Sequence, residues 1–224
     1  MKEIFYNVFT KNRLLYTLNQ CPGQNVYGEK LVNEGKKEYR TWDPYRSKLA
    51  ATMFKGLSYF NLKPDSSVLY LGASTGTTVS HISDITSGMV YAVEFSERMM
   101  RNLLTLSGRR KNIMPLLLDA RFPEKYSWIE SVDMVYVDIA DPQETEIAIR
   151  NAQLFLKGNG LLFIAVKSQS IDVTKDPSVI YKEESEKLVN SDFKILQTID
   201  LEPYEKHHAM LVCSFVKNRK MTSP

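Results

Sequence analysis

VLYLGASTGTTVSHI, residues 68–82, joins four apolar residues to a glycine turn and then to a helical pattern. Residues 68–71 carry no charge, as a strand covered on both faces does. Gly72 and Gly76 bracket a tight turn whose backbone is open to a ligand, and Thr77 and Thr78 begin the helix that follows. Strand, glycine turn and helix in that order are the first half of a βαβ unit. Downstream, residues 90–93, 113–118, 132–137 and 161–166 repeat the apolar run. Helical patterns at 77–85, 97–109, 143–156 and 177–189 separate most of them. The alternation predicts an α/β fold, a mostly parallel sheet with helices on both faces. Residues 193–201 and 209–216 are both strand-like and joined only by EPYEKHH. They predict an antiparallel pair at one edge.

Upstream of residue 67 the rhythm is different. IFYNVF (4–9) and LLYTL (14–18) read as strands, with turn residues at 10–12 and 21–23. Residues 27–32 and 39–42 add two short candidates. A helix is predicted to open at Asp43-Pro44, an acidic cap with proline at the first helical position. Leu49, Met53, Leu57 and Phe60 then recur at helical spacing, with Lys48 and Thr52 on another face. The expected division is a small β-rich N-terminal domain over 1–50 and an α/β domain over 51–224.

Composition excludes several classes. Of 224 residues, 43% are hydrophobic and 25% charged, too apolar for disorder and too charged for a membrane bundle. No apolar run approaches the roughly 18 residues of a spanning helix, so no membrane contact is expected. MKEIFYNVFT at the start has no apolar core of a signal peptide. Cys21 and Cys213 stand alone, which excludes a disulfide framework and a cysteine-based metal site. A reducing, cytoplasmic compartment is expected, and no bound metal. The net charge is only +3, yet residues 1–55 hold ten Lys/Arg against five Asp/Glu. A second basic block, Arg98, Arg101, Arg109, Arg110 and Lys111, encloses no acid, and Lys217, Arg219 and Lys220 form a third. Such blocks suit a phosphate backbone. A solvated helix face has the same composition, so charge leaves both readings open.

Ligands of an open α/β sheet bind outside the carboxyl ends of its strands. Glu94 ends the second predicted strand, 22 residues after Gly72, where an acid reaches ribose hydroxyls. Asp119 and Asp138 end the next two strands, and Lys167 the fifth. The turn departs from the GxGxxG pattern of a pyrophosphate binder, with Ala73 where such a binder prefers open backbone, which favours a nucleoside without pyrophosphate. S-adenosylmethionine fits: Glu94 for the ribose, Asp119 for the adenine amino group, the glycine turn under the methionine. The competing reading is that these acids only cap helices.

Five blocks carry a family resemblance: YRTWDPYRSKLAA (39–51), VLYLGASTGTTVSHISDI (68–85), VYAVEFSERM (90–99), LLLDARFPEKY (116–126) and LEPYEKHHAMLV (201–212). Together they resemble the fibrillarins, and more closely the archaeal fibrillarin-like RNA 2′-O-methyltransferases, over residues 1–217. The Gly/Arg-rich extension of the eukaryotic members is absent, which indicates the shorter prokaryotic form and no nucleolus. The resemblance implies methyl transfer from S-adenosyl-L-methionine to a ribose 2′-hydroxyl of rRNA or tRNA. A C/D-box guide RNA selects the nucleotide, alongside a Nop-type scaffold and a kink-turn-binding, ribosomal-protein-like subunit. It implies cofactor contacts at Gly72, Thr77, Thr78, Glu94, Phe95, Asp119, Ala120, Asp138, Ile139, Ala140 and Asp141. The implied catalytic set is Lys48, Asp138, Lys167 and His208.

Two positions depart from the family pattern: Asp141 replaces a neutral amide, and His207 stands where an acid often precedes the histidine. The chemistry suits the set. A ribose hydroxyl attacks only once its proton is partly removed, and an amine beside a second cation serves as base. Lys167 is read as that base, with Lys48 and Asp138 positioning the hydroxyl and His208 shaping the nucleotide pocket. A small-molecule or protein acceptor for the same cofactor is the alternative, and the basic blocks disfavour the small molecule. A non-catalytic RNA-complex subunit is disfavoured because both lysines, Asp138 and a histidine are kept.

Overall fold

Alternating aromatic and polar residues at the start of the chain pair into hairpins before any helix forms. The structure, a computed structural model, describes residues 1–216. Strands β1 (Lys2–Phe5), β2 (Val8–Lys11), β3 (Leu14–Leu18), β4 (Leu31–Glu34) and β5 (Lys37–Trp42) make an antiparallel sheet in the order β1-β2-β3-β5-β4. The single strand expected over 4–9 is two strands. Asn7 turns the chain with φ +55°, its N–H donating to the Glu3 carboxylate. The strand expected over 27–32 is displaced to 31–34. The buried Glu29 carboxylate accepts the N–H groups of Val26 and Tyr27, which curls this segment out of any ladder.

Helix α1 (Lys48–Phe54) begins later than predicted. Ser47, not Asp43, is its cap, accepting the Ala50 N–H; Asp43 instead closes a turn onto the Tyr45 N–H. The helix stops at Phe54, so Leu57 and Phe60 join the core from irregular chain. Thr52 is buried and donates to the Lys48 carbonyl rather than facing solvent.

The second sheet follows the predicted alternation: β6 (Val68–Leu71), α2 (Thr77–Ile85), β7 (Val90–Glu94), α3 (Glu97–Arg109), β8 (Ile113–Leu117), β9 (Val132–Val137), α4 (Glu144–Phe155) and β10 (Leu156–Lys167). After a short α5 (Ser168–Ile171) come α6 (Pro177–Val189), β11 (Phe193–Asp200) and β12 (His208–Phe215). Strand order is β11-β12-β10-β9-β6-β7-β8. Strands β10, β9, β6, β7 and β8 run parallel, and β12 pairs antiparallel with both β10 and β11. The chain winds outward through β7 and β8, then returns to the other side of β6, so the switch point lies between Gly72 and Asp138.

The pleat sorts one strand into two cores. Val68 and Tyr70 pack with α1, α2 and the inner face of the N-terminal sheet; Leu69 and Leu71 pack under α4 and α6. Between the sheets lies a buried polar cluster. Asp84 accepts from both Arg40 and Arg110, and Arg40 also pairs with Glu29 at 2.6 Å. His81 bonds the Thr17 and Tyr27 hydroxyls and stacks on Trp42, with ring centroids 4.7 Å apart. Burial, then Arg40 and Arg110, push the His81 pKa well below its ordinary value, so the ring is neutral. Arg110 therefore leaves the basic block read along α3, while Arg98, Arg101, Arg109 and Lys111 remain exposed. Residues 217, 219 and 220 of the third block lie outside the described residues. Among the described residues no helix is long and apolar enough to cross a membrane, and no cluster of metal-ligating side chains occurs.

Candidate functional site

Parallel strands that end level bring their last residues to one rim. At that rim a cavity of about 570 Å³ opens over β6 and β7, within the roughly 300–1,000 Å³ of small-ligand sites. Gly72 has φ +82°, and a Cβ there would lie 2.4 Å from the Asp138 carbonyl oxygen. Only glycine lets the turn pass this close to the tip of β9. Ala73, Ser74 and Thr75 continue the cavity wall.

Glu94 braces the turn. Its Oε2 accepts the Ser74 N–H at 2.7 Å, and its Oε1 accepts the Ser96 N–H at 2.8 Å. A carboxylate offers about four acceptor positions, so two remain for hydroxyls of a ligand. Phe95, 75% exposed, lays an apolar ring at the rim. Asp119 is gripped by Arg121, whose Nη2 lies 2.7 Å from Oδ2; this guanidinium outweighs the opposite push of burial and holds the Asp119 pKa below its ordinary value. Arg121 is itself more than half exposed, so solvent screens the pair and freeing an oxygen of Asp119 costs little.

On the far side stands the basic half of the site. Lys48, at the first turn of α1, reaches Asp138 at 3.2 Å, and Lys167, at the end of β10, reaches the same oxygen at 2.9 Å. Lys167 Nζ also donates to the Ile139 carbonyl at 2.7 Å. Burial works to raise the Asp138 pKa, but Lys48 and Lys167 outweigh it and hold the carboxyl below its ordinary range. Two amines thus share one ionised carboxylate.

Every residue expected to touch the cofactor lines this cavity, as do Lys48, Asp138 and Lys167. His208 does not line it. It sits on β12 directly opposite Lys167 in the ladder, its Nδ1 2.6 Å from the Lys206 carbonyl. Burial, with Lys48 and Lys167 adding to it, lowers the His208 pKa. His207 is set apart: at φ +59° it turns outward, and its carbonyl accepts from Ser168 N–H and Oγ. Asp141 serves α4, where its Oδ1 accepts the Gln143 N–H at 2.8 Å. Sequence reading missed Arg121, Glu205 (4.0 Å from Lys48) and Glu144, whose Oε1 accepts the Lys167 N–H at 2.7 Å. Glu144 had one sequence signal, an acid in the first turn after a strand-tip loop.

A glycine turn, a ribose-spaced acid and a carboxylate between two amines define a Rossmann-like site for a nucleoside-bearing cofactor. The family model described as Fibrillarin matches residues 1–217, and the chain belongs to the fibrillarin family. The fibrillarin-like rRNA/tRNA 2′-O-methyltransferase of Sulfolobus acidocaldarius is 54% identical over 204 residues, covering 90% of this chain and 88% of that protein. Aeropyrum pernix fibrillarin, solved in complex with natively bound S-adenosyl-L-methionine, is 46% identical with a TM-score of 0.83, over 89% of this chain and 88% of that one. A fibrillarin/Nop5p complex has 44% identity and a TM-score of 0.88, over 96% of this chain and all of its counterpart.

Proposed function

We propose that this chain is an RNA 2′-O-methyltransferase that moves a methyl group from S-adenosyl-L-methionine to a ribose 2′-hydroxyl of rRNA or tRNA. The observation that carries the mechanism is the convergence of Lys48 and Lys167 on Asp138 beside the nucleoside cavity. Glu94 would hold the cofactor ribose and Asp119 the adenine amino group, with Phe95 and Ala120 against the base. Gly72, Thr77 and Thr78 lie toward the methionine, together with the loop from Asp138 to Asp141. When bound, the cofactor would supply an electrophilic sulfonium methyl whose leaving group is a neutral thioether, so no general acid is needed.

The chain supplies the rest. Lys167, once its ammonium has released a proton to solvent, would take the proton of the attacking 2′-hydroxyl. Asp138 orients both amines, Lys48 holds the hydroxyl in line, and His208 supports Lys167 from the neighbouring strand. Alignment of oxygen, methyl and sulfur accounts for much of the rate. The assembly includes a Nop-type scaffold protein, and we extend it to a C/D-box guide RNA and a kink-turn-binding subunit. Exposed Arg98, Arg101 and Arg109 along α3 suit such an RNA-rich setting.

Labelled-methyl incorporation into a guided RNA target tests the reading. Incorporation is expected only with guide and partners present, and none on a target carrying a 2′-deoxyribose at the selected position. Label on the deoxy target would refute ribose methylation.

A further inference from the structure

Behind the lysines two carboxyl groups are sealed from water. Glu144, at the start of α4, and Glu184, on α6, are each 1% exposed. One oxygen of each has a partner: Glu144 Oε1 accepts the Lys167 N–H at 2.7 Å, and Glu184 Oε1 lies 2.9 Å from Lys187 Nζ. The other oxygen of each, Oε2, is buried without a hydrogen bond among the described residues, as is the Thr145 hydroxyl. Two ionised carboxylates with bare, buried oxygens on packed helices are among the least favourable arrangements a core can hold. A proton on one of them removes one charge and gives the bare oxygen a hydrogen to donate.

We infer that Glu144 is a positioning residue for Lys167 and acts as a carboxylic acid, sharing its proton with Glu184. In that form its carbonyl oxygen receives the Lys167 N–H while its O–H serves the second carboxyl. The first residue of α4 is thereby fastened to the last residue of β10. Because Lys167 Nζ also holds the Ile139 carbonyl, the loop bearing Asp138 is closed around Lys167 at both ends. The charges around Glu144 agree with this. Burial pushes its pKa up to about 8, against the pull of the Lys167 N–H and charge, and Asp138 and Glu184 push the same way as burial. Lys187, bridging Glu184 and Glu146, is the cation at the outer rim. Above that pH Glu144 is ionised, and although its bond from the Lys167 N–H strengthens, the new buried charge repels Asp138 and strains the loop that holds it.

The proton can be read without any ligand. In the full-length chain at pH 7, infrared spectra should show the carbonyl stretch of a buried carboxylic acid, fading near pH 8 and absent from Glu144→Gln. Methyl transfer by the assembled complex, which rests on the function proposed above, should fall on the alkaline side. Glu144→Gln, whose amide oxygen still accepts the Lys167 N–H, should keep more of the wild-type kcat at pH 7 than Glu144→Ala and should lose that alkaline fall. Glu144→Ala should lower kcat by about tenfold or more with RNA KM within about threefold. No acid band at pH 7, or a Glu144→Gln profile that still falls like the wild type, would overturn the inference. A wild-type complex that transfers no methyl group would instead count against the proposed function, while the infrared band would still report the proton.

Discussion

At Gly72 one methyl group decides whether the site can form. The added carbon of Gly72→Ala would meet the Asp138 carbonyl at 2.4 Å, backbone that cannot swing aside, at a φ of +82° that L-residues avoid. The conformation alone costs about 1–3 kcal/mol, so the denaturation midpoint should drop. Because the clash pushes on Asp138 itself, methyl transfer should fall further than stability predicts, measured as kcat at a temperature where the variant is fully folded. Lys167→Ala separates chemistry from binding differently. Turnover should fall by roughly 10²-fold or more while cofactor affinity by calorimetry stays within a few-fold. A large affinity loss would move Lys167 from the reacting centre into the binding set. The residues at strand tips were legible because tip position and residue type suffice to nominate them. The choice between His207 and His208 was not, since it depends on one left-handed residue reversing the chain. Arg121 was equally hidden: its grip on Asp119, two residues away, exists only once the loop after β8 turns back.

At the scale of elements, α1 is the lever that carries Lys48. Its cap Ser47 accepts the Ala50 N–H and also receives the Thr78 hydroxyl at 3.0 Å, so one oxygen ties the start of α1 to the start of α2. Ser47→Ala should cost about 1 kcal/mol in global stability, the ordinary price of a cap. Since Lys48 is the first helical residue, loss of the cap should also raise the RNA KM or lower kcat. Most downstream elements were readable to within a residue or two because their apolar runs and helical periods are long; the exceptions are β10, which begins at Leu156 rather than 161, and the short α5, which no period announces. The start of α1 was misplaced because Asp43-Pro44 and Ser47 are both sound capping signals within a few residues. The tie to Thr78 that favours the second is invisible in a local window. The N-terminal strands were misdrawn for a related reason: side-chain carboxylates of Glu3 and Glu29 capture backbone N–H groups that a strand would have used.

The whole molecule depends on a joint that no motif announces. Glu29, Arg40, Asp84 and Arg110 are far apart in the chain, yet they meet in one buried cluster joining β5, α2 and the end of α3. Class and layering followed from alternation along the chain, but the attachment of the small sheet did not, because it is made of long-range ion pairs rather than a period. Asp84 is the keystone, since both guanidiniums lean on it. Asp84→Asn keeps the shape and leaves two buried cations short of a counter-charge, a defect worth about 3–5 kcal/mol. The denaturant midpoint should fall accordingly, and amide exchange should quicken first in β3 and β5, whose side chains Thr17 and Arg40 bond Asp84 directly. Acid should act on the same joint. Burial raises the Glu29 pKa, but Arg40 and the Tyr27 N–H more than offset it and hold the carboxyl below its ordinary value. A group whose folded pKa is depressed contributes fully above its unfolded value and loses that contribution as pH falls through the folded one. Glu29→Gln should therefore be less stable than wild type at pH 7, with the gap closing below about pH 4 as the wild-type carboxylate is protonated. Equal melting temperatures for the two proteins at neutral pH would remove Glu29 from the joint and leave Asp84 to hold it alone.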